Sequence, residues 1–128
     1  PDREVVLFAG DGGFQMTLQE LGTVAQTGAV IKIIVLNNRF LGMVRQWQDM
    51  FYDKRYSFTE LTSPDFVTLA SAYGIKGKRV TSRDQLFDAV SEQINSGESF
   101  LLEVMVERED NVFPMVPSGE NVSNIRLD

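Results

Sequence analysis

The chain has 128 residues, enough for one domain that can bury roughly two-thirds of its unfolded surface. Its net charge of −6 argues against general nucleic-acid binding and an anionic membrane as partner, though not against a small anion held by backbone N–H groups or a metal. It has no cysteine and no histidine, which rules out disulfides, thiolate chemistry, the usual zinc sites and every His-containing triad, so acid–base work falls to a carboxylate, Lys, Tyr or a cofactor.

No apolar run approaches the roughly 20 residues of a membrane span, and no leader segment is visible. The opening "PDREVVLFAG" lacks an initiator Met and enters a strand almost at once, which suggests a piece of a longer protein. Residues 5–9 form a short apolar run ending in glycine, read as a buried strand. Residues 17–26 read as a helix, with Leu18, Leu21, Val24 and Ala25 at three- and four-residue steps and Gly28 closing it. "VIKIIVL", residues 30–36, is a β-branched second strand ended by Asn37 and Asn38. Residues 41–50 look helical with Val44 and Trp47 on one face, and an aromatic, polar loop follows.

Ser63-Pro64-Asp65 is a helix start signal, with Ser63 as N-cap and a helix over 65–73 that ends at Gly74. Residues 77–80 make a short strand, Ser82 caps a helix over 83–95, and residues 100–106 form the last strand. From Glu107 the chain becomes charged and then proline-bearing, and reads as a tail. The expected division is therefore a domain over 1–106 and a tail over 107–128. Strands alternate with helices throughout. The fold class expected is α/β: a mostly parallel sheet between two helical layers, with ligands outside the carboxyl ends of the strands.

Two polar spots sit at those ends. Asp11 lies within "GDGG", and Asn38 closes the next strand, one strand–helix–strand unit later. A carboxylate and a carboxamide oxygen are hard ligands suited to Mg²⁺ or Ca²⁺, and Mg²⁺ usually completes its shell with phosphate oxygens and water. Gly10, Gly12 and Gly13 leave backbone that a diphosphate can approach, beside the start of the following helix. The plainer alternative is a tight turn in which Asp11 caps that helix. A dinucleotide site fits less well, because the spacing is not G-x-G-x-x-G and the second strand ends in Asn.

"GDG" followed one unit later by "NN" resembles the diphosphate-binding signature of thiamine-diphosphate enzymes. With "GDGGFQMTLQEL", "NNRFLGMVRQWQDMFYDKRYS" and "FPMVPSGE", the chain is similar to the C-terminal part of the large catalytic subunit of the acetolactate synthase (acetohydroxyacid synthase) family. The resemblance implies that Asp11 and Asn38 bind Mg²⁺ by side chain and Phe40 by its carbonyl. It places Gly10, Gly12, Gly13, Leu41, Gly42 and Met43 against thiamine diphosphate. Met43, Val44, Trp47 and Ser118 match positions lining the substrate and inhibitor channel, with residues 117–119 over its entrance.

The resemblance also implies pyruvate and 2-oxobutanoate as substrates in branched-chain amino-acid synthesis, FAD in some members, a homodimer or higher oligomer, a regulatory small subunit and a bacterial cytoplasmic setting. Pyruvate oxidase or glyoxylate carboligase is the alternative within the group, and a non-catalytic binding module the alternative outside it. The glutamate that activates the cofactor lies in another domain of the family's subunit, so no catalytic residue is assigned here. Thiamine diphosphate carries the difficult carbon chemistry itself, which suits a chain without His or Cys. Each site residue has a structural rival: Met43 and Trp47 as helix packing, Ser118 as turn chemistry. Lys54, Arg55 and Arg79 read as solvated cations, and Glu103, alternating with apolar neighbours, as an outward-facing carboxylate. The isolated piece is expected to lack activity, and to self-associate through an uncovered strand edge or be only marginally stable.

Overall fold

The computed structural model describes residues 3–128. Four strands form one sheet in the order β1 (Val6–Gly10), β2 (Lys32–Asn37), β4 (Phe100–Met105), β3 (Lys76–Val80), and every pairing is parallel. Five helices connect and cover them: α1 (Asp11–Gln15), α2 (Glu20–Thr27), α3 (Gly42–Phe51), α4 (Phe66–Ala72) and α5 (Leu86–Asn95).

The period-2 side-chain alternation of the two central strands divides the core in two. Ile33, Val35 and Leu101 face one side, where Phe14 of α1, Leu21 of α2 and Phe66 and Ala70 of α4 pack on them. The Phe14 and Phe66 rings meet edge to face at 5.4 Å, the arrangement favoured by the aromatic quadrupole. Ile34 and Leu102 face the other side, where they meet Val80 and Ala89 of α5. The expected three-layer α/β/α architecture is the one observed.

Differences from the sequence reading have local causes. The helix expected over 17–26 begins only at Glu20, because i→i+3 turns such as Met16 N–H to Gly13 O and Glu20 N–H to Thr17 O interrupt it. The element that follows β1 is instead the five-residue α1, too short for much of a macrodipole. Gly28 closes α2 as expected, with φ 68° and its N–H on Val24 O. Ser63 is not the cap of α4: Asp65 is, accepting from the Thr68 N–H. The helix after Ser82 opens as a 3₁₀ turn, Arg83–Gln85, before α5.

Glu103 is a larger correction. It is 2% exposed, because a parallel sheet covered on both faces has no outward side. Arg79, expected to be solvated, donates from Nε to the Glu103 Oε2 at 2.6 Å and pairs with Asp65 at 3.0 Å. The tail is also not free. Gln46 of α3 donates from Nε2 to the Val112 carbonyl and accepts the Val112 N–H, both at 3.0 Å, and Met115 bridges to Arg126. Such a side chain, used as a two-way backbone mimic, leaves no trace in hydropathy.

Sheet edge and interior differ in cover. Leu7 and Phe8 of edge strand β1 are exposed, whereas Ile33 and Val35 of β2 are buried. Buried Lys32 directs its ammonium to the carbonyls of Ser96 and Glu98, where α5 runs out. A cation at a helix C-terminus satisfies orphan carbonyls that no backbone donor reaches. Among the described residues no helix is long and apolar enough to cross a membrane.

Candidate cofactor site

The site follows from the parallel register. Gly10 lies beside Leu36, so the chain leaves β1 at Asp11 where β2 is about to end in Asn37 and Asn38. A cleft of about 560 Å³ opens there, lined by Gly10, Asp11, Gly12, Gly13, Leu36, Asn38, Phe40, Leu41, Gly42, Met43, Val44 and Val106. Every residue expected to hold cofactor or metal lines this one cleft.

Asp11 is 1% exposed. Its Oδ2 accepts the Arg39 N–H at 3.0 Å and the Ser63 hydroxyl at 3.3 Å. Oδ1 has no hydrogen-bond partner among the described residues. Asn38 uses Oδ1 to accept the Phe40 N–H at 3.0 Å, which turns the chain so that the cleft is lined by residues 40–44. Its amide packs against Gly42, where a Cβ would come within 3.1 Å of Asn38 Nδ2.

The three glycines differ. A Cβ on Gly10 or Gly13 would meet nothing within 4 Å, leaving their backbone open to a bound group. A Cβ on Gly12 would approach Leu61 Cδ1 to 2.9 Å and Leu41 Cδ2 to 3.1 Å, so a side chain there would have to displace the ends of these two leucines.

These features fit a metal-bridged diphosphate. Among the described residues no three His, Cys, Asp or Glu side chains converge. The cleft offers one carboxylate and one carboxamide, which suits Mg²⁺ completing its shell with phosphate oxygens and water. Buried Asp11 would repel a bare diphosphate, and a cation between them removes that conflict.

The residues expected to line a substrate channel fall in two places. Met43 and Val44 line the cofactor cleft, whereas Trp47 lines a neighbouring cavity of about 370 Å³ with Phe51, Tyr52, Pro117, Ser118 and Glu120. The fold thus brings Trp47 and Ser118 together from α3 and the tail. Lys54 and Arg55 are exposed and away from the cleft, each near an aspartate, Asp49 at 4.0 Å and Asp53 at 3.8 Å.

A second cavity of about 460 Å³ lies on the opposite side of the sheet at the same strand ends, lined by residues including Asn37, Arg39, Ser63, Asp65, Arg79 and Glu103. Sequence reasoning missed its polar circuit. Arg39 has φ 61°, uncommon for a residue with a Cβ, and this turns its N–H onto both Asp11 Oδ2 and Asn37 Oδ1. Asn37 Nδ2 donates to Glu103 Oε1 at 2.7 Å, and Glu103 holds Arg79, which reaches Asp65. The Thr68 N–H, and after it the Arg79 guanidinium, hold the Asp65 carboxyl below its ordinary pKa. Glu103, and after it Asp65, raise the pKa of Arg79. Asn37 could have been suspected from its place in β2, in step with Ile33 and Val35. Ser63 carried no such signal, because a serine before Pro-Asp reads equally well as a cap.

Residues 1–104 match the family model described as "Thiamine pyrophosphate enzyme, C-terminal TPP binding domain". The chain is 47% identical over 126 residues to the acetolactate synthase isozyme 2 large subunit of Escherichia coli, covering 98% of this chain and 23% of that protein. It is 42% identical to the acetolactate synthase large subunit of Parasynechococcus marenigrum, covering 94% of this chain and 20% of that one. The mitochondrial acetolactate synthase of Schizosaccharomyces pombe is 44% identical over 94% of this chain and 18% of its own length. Among solved structures, the thiamine diphosphate-dependent 4-hydroxybenzoylformate decarboxylase of Rhodococcus jostii superposes with a TM-score of 0.78 at 28% identity, covering 86% of this chain and 21% of that chain. The chain therefore spans about a fifth of the length of the relatives it matches. With the cleft at its strand ends, the match shows that the chain belongs to the thiamine pyrophosphate enzymes, as the C-terminal cofactor-binding domain of that family.

Proposed function

We propose that this chain is the part of an acetolactate synthase large subunit that holds Mg²⁺ and the diphosphate of thiamine diphosphate. One observation carries the reading: Asp11, Asn38, Phe40 and the glycines at 10, 12 and 13 line a single cleft, in a chain 42–47% identical to acetolactate synthase large subunits. Asp11 Oδ1, the Asn38 side-chain oxygen and the Phe40 carbonyl would hold the cation. Gly10 and Gly13 would leave their backbone open to the diphosphate, and Leu41, Gly42 and Met43 would wall the cofactor.

Thiamine diphosphate, when bound, supplies the carbanion-stabilising chemistry for decarboxylating a 2-keto acid and joining it to a second. The chain's own work is to bind, orient and exclude water. Leu36, Leu41, Met43, Val44 and Val106 give the cleft apolar walls, which strengthen electrostatic contacts inside it. Trp47 and Ser118 would border the approach of pyruvate and 2-oxobutanoate, with residues 107–128 as a flap. The activating glutamate, any FAD site, and contacts with a second subunit or a regulatory small subunit are assigned to the rest of the protein or its partners.

The test is Asp11→Ala in the whole protein. Loss of outer-shell partners alone costs about 10–100-fold in metal affinity, so loss of a direct ligand should weaken Mg²⁺-dependent thiamine-diphosphate binding by more than about 100-fold. An unchanged cofactor titration would sink the metal assignment. Acetolactate as the product from pyruvate supports the enzyme assignment, and acetyl phosphate or an aldehyde in its place refutes it.

A further inference from the structure

We propose that Ser63 is a positioning residue for the Asp11 carboxylate: it fixes which oxygen of Asp11 is left for a divalent cation. This rests on the reading of Asp11 as a metal ligand given above.

A buried carboxylate can rotate about its Cβ–Cγ bond, and a cation site needs one defined oxygen presented. Two donors fix the rotation here. The Arg39 N–H and the Ser63 hydroxyl both reach Oδ2, at 3.0 and 3.3 Å. They approach from the side of the second cavity, which Arg39 and Ser63 line and Asp11 does not. Oδ1 remains the oxygen without a hydrogen-bond partner among the described residues, and Asp11 lines the cofactor cleft.

The hydroxyl is itself directed. Gln15 donates from Nε2 to Ser63 Oγ at 3.3 Å. A serine hydroxyl has one hydrogen and two lone pairs. With Gln15 on a lone pair, the hydrogen is free to turn to Asp11. Ser63 thus receives from the end of α1 and donates to its beginning, closing a loop of side chains around the turn that carries Asp11.

The chain just after Ser63 is tied down by Asp65. Two residues on, Asp65 is tied to the Thr68 N–H and to Arg79, and Arg79 is tied through Glu103 to Asn37. Asn37 in turn accepts the same Arg39 N–H that Asp11 uses. Both donors to Oδ2 therefore adjoin one polar circuit. Such outer-shell partners orient a ligand and tune its basicity without touching the ion.

The experiment measures Mn²⁺ binding to the whole protein with thiamine diphosphate present, from the electron paramagnetic resonance of free Mn²⁺. Native protein is compared with Ser63→Ala, Ser63→Thr and Asp11→Ala. Ser63→Ala should weaken Mn²⁺ binding by about 10-fold, the lower end for loss of an outer-shell partner. Ser63→Thr, which keeps the hydroxyl, should restore most of that affinity. Melting of the cation-free protein should be nearly the same for native and Ser63→Ala, which separates positioning from general stability. If Asp11→Ala abolishes Mn²⁺ binding while Ser63→Ala stays within about two-fold of native, the positioning role is overturned and the metal assignment stands. If Asp11→Ala itself leaves Mn²⁺ binding intact, the metal assignment fails and takes this inference with it.

Discussion

Glu103→Gln and Arg79→Ala break one contact from its two ends, and the structure predicts unequal costs. Glu103 is 2% exposed, while the side chain of Arg79 is 38% exposed. In Glu103→Gln, the amide oxygen can accept from Asn37 Nδ2 or from Arg79 Nε, and the amide nitrogen then faces the other donor. One charge-assisted hydrogen bond is lost, worth about 1.5–3 kcal/mol, offset by no longer burying a carboxylate. Arg79 keeps Asp65 at 3.0 Å and part of its hydration. The expected net loss is about 1–2 kcal/mol.

Arg79→Ala instead orphans a buried charge, which costs about 3–5 kcal/mol. Water entering the space Arg79 leaves should hold the loss near the lower figure. In the Arg79→Ala background, adding Glu103→Gln removes the orphaned charge and should restore part of the stability, so the double variant should be more stable than Arg79→Ala alone. Urea unfolding followed by the fluorescence of Trp47, the single tryptophan, measures all four proteins. Equal losses below about 0.5 kcal/mol for both single variants, as for ordinary surface sites, would refute the buried-carboxylate reasoning.

Two further predictions concern the periphery. Lys76 and Lys78 reach Glu92 at 2.6 and 2.7 Å and, with the Lys76 hydrogen bond first, lower its pKa to about 2. A carboxyl depressed in the folded state contributes stability above its ordinary pKa of 4.5 that is lost as pH falls to about 2. The melting-temperature advantage of native protein over Glu92→Gln should therefore be present at about pH 6, shrink in high salt and vanish by about pH 2; a gap that does not change with pH contradicts the assignment. Gln46→Ala removes two hydrogen bonds to Val112, roughly 1–3 kcal/mol together. It should raise amide exchange over residues 107–128 and leave β2 and β4 protected, and uniform loss of protection would show that the tail is not a separate unit.

The sheet was legible in the sequence from periodicity, and the residues that meet in the cleft from their spacing together with the family resemblance. The β-branched run of β2, the glycine after β1 and the asparagines one unit later need only local geometry to be placed. The supporting circuit was not legible. Glu103 alternates with apolar residues in the way an exposed carboxylate does in a half-buried strand, and only the knowledge that both sheet faces are covered reverses that reading. Ser63 and Asp65 are both good caps two residues apart, and hydropathy does not say which one turns toward Asp11. The left-handed Arg39 is hidden for a simpler reason: only its backbone N–H is used, so its side-chain identity reports nothing about the site.

Strand order has a consequence for how the molecule comes into being. β4 lies between β2 and β3, so among the described strands β3 has no sheet partner until β4 is made. At typical rates the roughly 60 residues from the end of β2 to the start of β4 take about 3–12 s to synthesise. Through that interval Ile33 and Val35 have no β4 to lie against, and Asn37 has no Glu103. β4 thus joins β3 to β1 and β2 and brings Glu103 into the circuit behind Asp11. Until β4 arrives, β2 carries an unpaired, apolar strand edge, which makes it the segment that a chaperone would need to shield.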